Sequence, residues 1–161
     1  MEGFCFIIAD KQHRIYYASE NAHLIFGKNS AQIKNQPWFS FIKKDWSKDY
    51  VKGIIQYELE TNGFVNGYLN FGGVEDPLWF IDYGKRYEND GTHCGYELII
   101  TPTTPDASDY MKHFYQNLIE KVQASPNENP LDIYNNEKQL IEQTVGTDFN
   151  EFMLALQGSH D

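Results

Sequence analysis

The order of patterned segments over the first hundred residues limits the fold more than any other feature. Residues 3–9 read as a buried strand, 10–13 as a polar turn, and 14–18 as a second strand carrying Tyr16 and Tyr17. Ser19 is placed to cap a short helix over 21–26 that Gly27 stops. Ser30 caps a further helical turn through Ile33, and Pro37 opens another with Trp38, Phe39, Phe41 and Ile42. Asp45 or Ser47 then caps a longer helix over 48–61, whose Tyr50, Val51, Ile54, Ile55, Tyr57 and Leu59 mostly follow helical spacing. Three strand-like runs follow at 64–71, 78–87 and 93–101, the last two joined by the hairpin signal Glu88-Asn89-Asp90-Gly91. This succession predicts an α+β domain: a five-stranded antiparallel sheet flanked by short helices, with a helical C-terminal extension.

The extension begins after Pro102. Asp106 or Ser108 caps a helix to about 124, with Met111, Phe114, Tyr115, Leu118, Ile119 and Val122 forming an apolar stripe. Residues 125–130 read as a linker, and two short acidic helices follow at 131–144 and 148–157 around Gly146. The expected boundaries are 1–104 for the sheet domain, 105–124 for an exit helix and 125–161 for the linker and tail.

Charge narrows the partners. The net charge of −10 would repel a phosphate backbone, and no basic stripe offsets it, so nucleic-acid binding is not expected. No run approaches the ~20 apolar residues that span a bilayer. The first residues are apolar but lack a basic leader region, so no membrane insertion and a cytoplasmic location are expected. Cys5 and Cys94 lack the spacing of a zinc site; they read as buried free thiols, or as a redox-sensitive pair on neighbouring strands. Aromatic residues make up 16% of the chain, enough either to fill a small core or to line a pocket for a flat ligand.

Several stretches resemble the PAS family of sensory domains. The segment 10–22, from Asp10 through Ile15 to Ser19-Glu20-Asn21-Ala22, resembles the family's opening, although the glycine common in its turn is missing. Phe26-Gly27 and the segment from Ala31 to Trp38 also resemble PAS motifs, and the likeness spans about residues 3–101. Gly91-Thr92-His93-Cys94-Gly95-Tyr96 is similar to a turn of aerotaxis-receptor and chemoreceptor-linked members, some of which hold FAD. Their Arg-His-Pro-Asp stretch is matched only loosely by Lys43-Lys44-Asp45, Phe64-Val65 stands near their usual Trp, and Asn70-Phe71-Gly72-Gly73 lacks their hairpin Lys.

In such a fold the ligand candidates face the cleft between sheet and helices. Trp38, Trp46, Tyr57 and Trp79 either simply pack the core or stack on a planar ring, which Asn66, Tyr68 and Asn70 would then orient by hydrogen bonds. Lys43 and Lys44 either meet a phosphate or are simply solvated. None of His13, His23, His93, His113 and His160 lies on the long helix where a haem ligand would be expected, and each reads as a surface or half-buried side chain. No hydrolase, zinc-protease or P-loop motif is present, no metal site is expected, and the chain is not expected to be an enzyme.

The leading expectation is a sensory, signal-transduction module that binds a small ligand, with FAD the first candidate, and passes the signal through its terminal helices. A homodimer through those helices, or a signalling partner docked on them, is expected. The alternative is a cofactor-free PAS module for protein–protein interaction or dimerisation; the departures at 43–45 and 64–65 favour it.

Overall fold

The structure, a computed structural model, describes residues 4–43, 48–72 and 77–158. The chain divides into two compact units, Met1–Pro102 and Thr103–Asp161.

The first unit is built on five strands: β1 (Cys5–Ala9), β2 (Ile15–Ala18), β3 (Phe64–Asn70), β4 (Leu78–Tyr87) and β5 (His93–Pro102). They form one antiparallel sheet in the order β2-β1-β5-β4-β3, so the first strand lies in the interior, against the last. The expected hairpin closes β4 onto β5, where the backbone N–H of Glu88 donates to the carbonyl of Thr92 at 2.8 Å. The α+β sheet architecture is therefore as the strand pattern implied.

Strand register decides which side chains meet the helices. Cys5, Ile7 and Ala9 sit opposite Ile100, Leu98 and Tyr96, and Ile81 and Tyr83 continue that face onto β4. Val65 and Leu69 complete it on β3. Against this inner face pack α1 (His23–Phe26), α2 (Ser30–Ile33), the 3-10 turn Trp38–Phe41 and α3 (Lys48–Asn62), enclosing one apolar core. From α3, Val51, Ile55 and Leu59 enter the core at four-residue spacing, one helical stripe.

The helix starts differ in detail from the expectations. Ser19 does precede the 3-10 turn Glu20–Ala22, but its hydroxyl makes no cap bond there. It accepts from the backbone N–H of Phe6 at 3.0 Å and donates to Asn21 Oδ1 at 2.6 Å, stitching the turn to β1. α2 is capped by Asn29 rather than Ser30, in a full capping box with Gln32. The expected cap at Asp45 or Ser47 lies outside the described residues.

Cys5 and Cys94 correct one expectation. Their strands are neighbours, but register sets Cys5 against Ile100, six residues from Cys94 (100 − 94), or about 20 Å along the strand. Both are free thiols, and no redox pair can form between them in this register.

The second unit is helical: α4 (Pro105–Ala124), α5 (Pro130–Val145) and α6 (Phe149–Gly158). Thr104, not Asp106 or Ser108, caps α4, with Pro105 in its first turn. The expected exit helix and tail pack on one another. Phe114 of α4 meets Phe149 of α6 with ring centroids 5.3 Å apart, and Lys121 forms an ion pair with the buried Glu137 of α5.

Candidate functional site

The turn between β1 and β2 is built around a carboxylate. Asp10 Oδ1 accepts the backbone N–H groups of Gln12 and Arg14, both at 2.9 Å, and Asp10 Oδ2 pairs with Arg14 Nε at 3.0 Å. This turn holds His13 in the left-handed region, φ +65°, where glycine is the usual occupant. The resemblance noted a missing glycine in this turn, and His13 is the residue that takes up the strained conformation.

That conformation brings the imidazole into the aromatic core. Its Nδ1 lies 2.6 Å from the Tyr83 hydroxyl, and its ring stacks on Tyr96 at 4.3 Å and 19°. The carbonyl of His13 accepts the backbone N–H of Trp38 at 3.1 Å, tying the hairpin to the 3-10 turn. Burial, followed by the nearby charge of Lys52, lowers the His13 pKa to about 4; Asp10 pulls the other way and His93 adds to the lowering. Burial raises the Tyr83 pKa far above the usual phenol range, so its hydroxyl stays protonated. A neutral imidazole can therefore accept the Tyr83 O–H at Nδ1. His13 is half-buried, within the range expected of it; what the sequence does not show is its set of ring partners.

The sequence-based candidates separate into groups. Trp38 and Trp79 both belong to the inner core. Trp38 is fully buried, stacked on Phe39 at 4.3 Å and edge-on to Tyr83 at 4.9 Å, so its own neighbours occupy the ring faces proposed for a ligand. Its indole N–H lies close enough to the Tyr83 oxygen to favour the ionised phenol, yet outside hydrogen-bonding geometry. The indole N–H of Trp79 is likewise buried without an acceptor.

Asn66, Tyr68 and Asn70 require correction. They alternate with Val65, Gly67 and Leu69 along β3 and so occupy the face opposite the core. Asn66 Oδ1 is a third buried atom without a partner, but on that opposite face. Asn70 Oδ1 instead accepts the backbone N–H of Gly72 at 2.8 Å, closing the end of the strand. Tyr57 also departs from expectation, lying on the side of α3 opposite Val51, Ile55 and Leu59. Lys43 is half-buried, and its backbone N–H donates to the carbonyl of Asn70 at 2.7 Å. Lys44 and Trp46 lie outside the described residues.

For a flavin, the described inner face fits in part. It offers aromatic rings and the two unpaired indole N–H donors, but the β3 amides expected to orient the ring face the other way. Among the described residues no cluster of His, Cys, Asp and Glu could hold a metal ion. No helix among them is long and apolar enough to cross a membrane.

No family model matches the chain. No curated protein matches it either. Among solved structures it is similar to the PAS domain of a protein from Colwellia psychrerythraea, with 14% identity, 63% of this chain and 86% of that chain covered, and a TM-score of 0.52. It is also similar to the light-state structure of the blue-light photoreceptor Aureochrome1 LOV, at 15% identity, covering 70% and 90%, with a TM-score of 0.56. A structure of a light-oxygen-voltage domain studied with a flavin analogue gives 16% identity, 73% and 87% coverage, and a TM-score of 0.53. At these identities the likeness is one of fold: the sheet with its flanking helices is the α+β fold of PAS and LOV domains.

Proposed function

We propose that the chain is a sensory module that takes a small planar ligand against the inner face of its sheet. The supporting observation is the pair of buried indole N–H groups, Trp38 and Trp79, both on that face and both without an acceptor. An unpaired buried donor costs about 1–3 kcal/mol, so two on one face call for acceptor atoms that a ligand would bring. A flat, acceptor-bearing molecule would offer apolar faces to the core walls and acceptors to these donors. Flavin is the first candidate because two of the similar structures are LOV domains, one of them studied with a flavin analogue. FAD, the likeness to aerotaxis-type sensors, a cytoplasmic setting and output through the terminal helices to a second copy or a signalling partner belong to the same proposal.

The test is native mass spectrometry and an absorption spectrum of the full chain as purified, with identification of whatever heat releases. A bound small molecule is expected. Trp79→Phe keeps a ring but removes the donor, and should weaken retention while leaving the circular dichroism unchanged. A chain that carries no added mass, and that no member of a flavin and aromatic-ligand panel stabilises against heat, overturns the proposal in favour of a cofactor-free contact module.

A further inference from the structure

We propose that Tyr83 and His13 form a redox-active pair: Tyr83 gives one electron to an external oxidant as its hydroxyl proton passes to Nδ1 of His13, and the rings of Tyr96, His93 and Tyr87 link the pair to the surface. The proposal concerns residues of this chain alone and does not depend on a ligand in the core.

Geometry carries it. The phenol oxygen and Nδ1 lie 2.6 Å apart, within direct proton-transfer range. Tyr83 is fully buried, so its proton has no route to bulk water except through a neighbouring group. A phenol that loses an electron becomes a strong acid, and oxidation without an acceptor for the proton would leave a positive charge in an apolar core. The imidazole removes that obstacle only if it is neutral beforehand. Burial and the charge of Lys52 keep it neutral at ordinary pH, with His93 adding to the effect and Asp10 opposing it.

The rings give the electron a path. Tyr83 stacks with Tyr96 at 5.2 Å and 26°, and Tyr96 meets His93 edge-on at 5.0 Å. His93 lies 5.8 Å from Tyr87, a residue that is 59% exposed. Trp38, edge-on to Tyr83 at 4.9 Å, is the buried end of the series.

The step balances. The Tyr83 O–H bond breaks, an N–H bond forms at Nδ1, and one electron passes to a metal-centred or photoexcited one-electron acceptor that meets Tyr87. The products are a neutral phenoxyl radical, an imidazolium and the acceptor reduced by one electron. Asp10, the carboxylate that favours protonated His13, offsets the new charge. Return of the electron reverses both transfers.

Flash photolysis of the full chain with ruthenium tris(bipyridine) and persulfate supplies such an acceptor. Electron paramagnetic resonance should then show a long-lived neutral tyrosyl radical, sheltered from the fast decay of exposed tyrosines such as Tyr17 and Tyr110. The long-lived signal should be lost in Tyr83→Phe. His13→Phe keeps a stacking ring but removes the proton acceptor, and should lose the signal as well. Tyr87→Phe should slow its appearance. If Tyr83→Phe does not fold, a fluorinated tyrosine placed at position 83 keeps the shape and should change the hyperfine pattern. Absence of a long-lived radical from the unmodified chain, its survival in Tyr83→Phe, or an unchanged pattern on fluorination at 83 overturns the proposal.

Discussion

A Cβ placed on Gly95 would stand 2.3 Å from the carbonyl oxygen of Ala9. Gly95 lies in β5 at φ +155°, just where β1 ends against it. The neighbouring backbone cannot yield without breaking the pairing of Ala9 with Tyr96. Gly95→Ala should therefore destabilise the first unit by about 3 kcal/mol or more, combining backbone strain with overpacking. Urea unfolding followed by tryptophan fluorescence checks this; an unchanged midpoint would mean that β1 and β5 do not approach so closely.

The half-buried imidazole of His13 gives stability a dependence on pH. Its pKa is about 4 in the folded chain, against an ordinary 6.5. Above pH 6.5 the ring is neutral in both states. Between those values the unfolded chain binds the proton more readily, so stability falls as pH falls, and below pH 4 this contribution levels off. At a half-buried site, solvent screening reduces the effect to about 1–2 kcal/mol. His13→Phe should lose less stability between pH 7 and pH 4.5 than the unmodified chain. Equal losses would show that the ring is not held neutral.

Lys121 supports a buried carboxylate. Glu137 is 7% exposed, and among the described residues it also meets the amide of Asn117 at 3.5 Å. Lys121→Met should cost about 1–2 kcal/mol, between the values for exposed and fully buried pairs because Lys121 itself is 49% exposed. Adding Glu137→Leu should restore most of the loss, since no charge is then stranded. Thermal melting of the helical circular dichroism tests the pair, and a double variant no more stable than Lys121→Met would sink the explanation.

The two thiols should differ in reactivity. Cys5 is fully buried; burial raises its pKa, only partly offset by the hydroxyl of Ser19 at 3.5 Å. Cys94 is half-buried on β5, beside the turn from β4. A maleimide should label Cys94 in the folded chain and reach Cys5 only after denaturation. Rapid labelling of both would contradict the burial of β1.

Strands and turns were legible because their signals are local. The Glu88–Gly91 turn and the short apolar runs around it encode pairing within a few residues. The facing of β3 was not. Tyr68 and Leu69 are adjacent and both apolar, and Gly67 has no side chain, so alternation does not say which parity faces inward. Only pairing with β4, whose Tyr83 and Ile81 stand opposite Val65 and Gly67, settles it. The caps slipped for a related reason: Asn29 and Ser30 both suit a helix start, and the reciprocal bond from Gln32 decides between them. The ring partners of His13 were hidden because they depend on the left-handed backbone that turns it toward Tyr83 and Tyr96.

Placing the first strand beside the last has a consequence during synthesis. The apolar side chains of β1 leave the ribosome about ninety residues before β5 arrives to hold them. Until then β1 has only the short β2 as a partner, and a two-stranded hairpin is marginal in water. The nascent chain therefore carries an unfinished sheet until β5 emerges. Chaperone dependence, and sensitivity to mutations that slow the closing of β5, should appear in the yield of folded protein before they appear in its final stability.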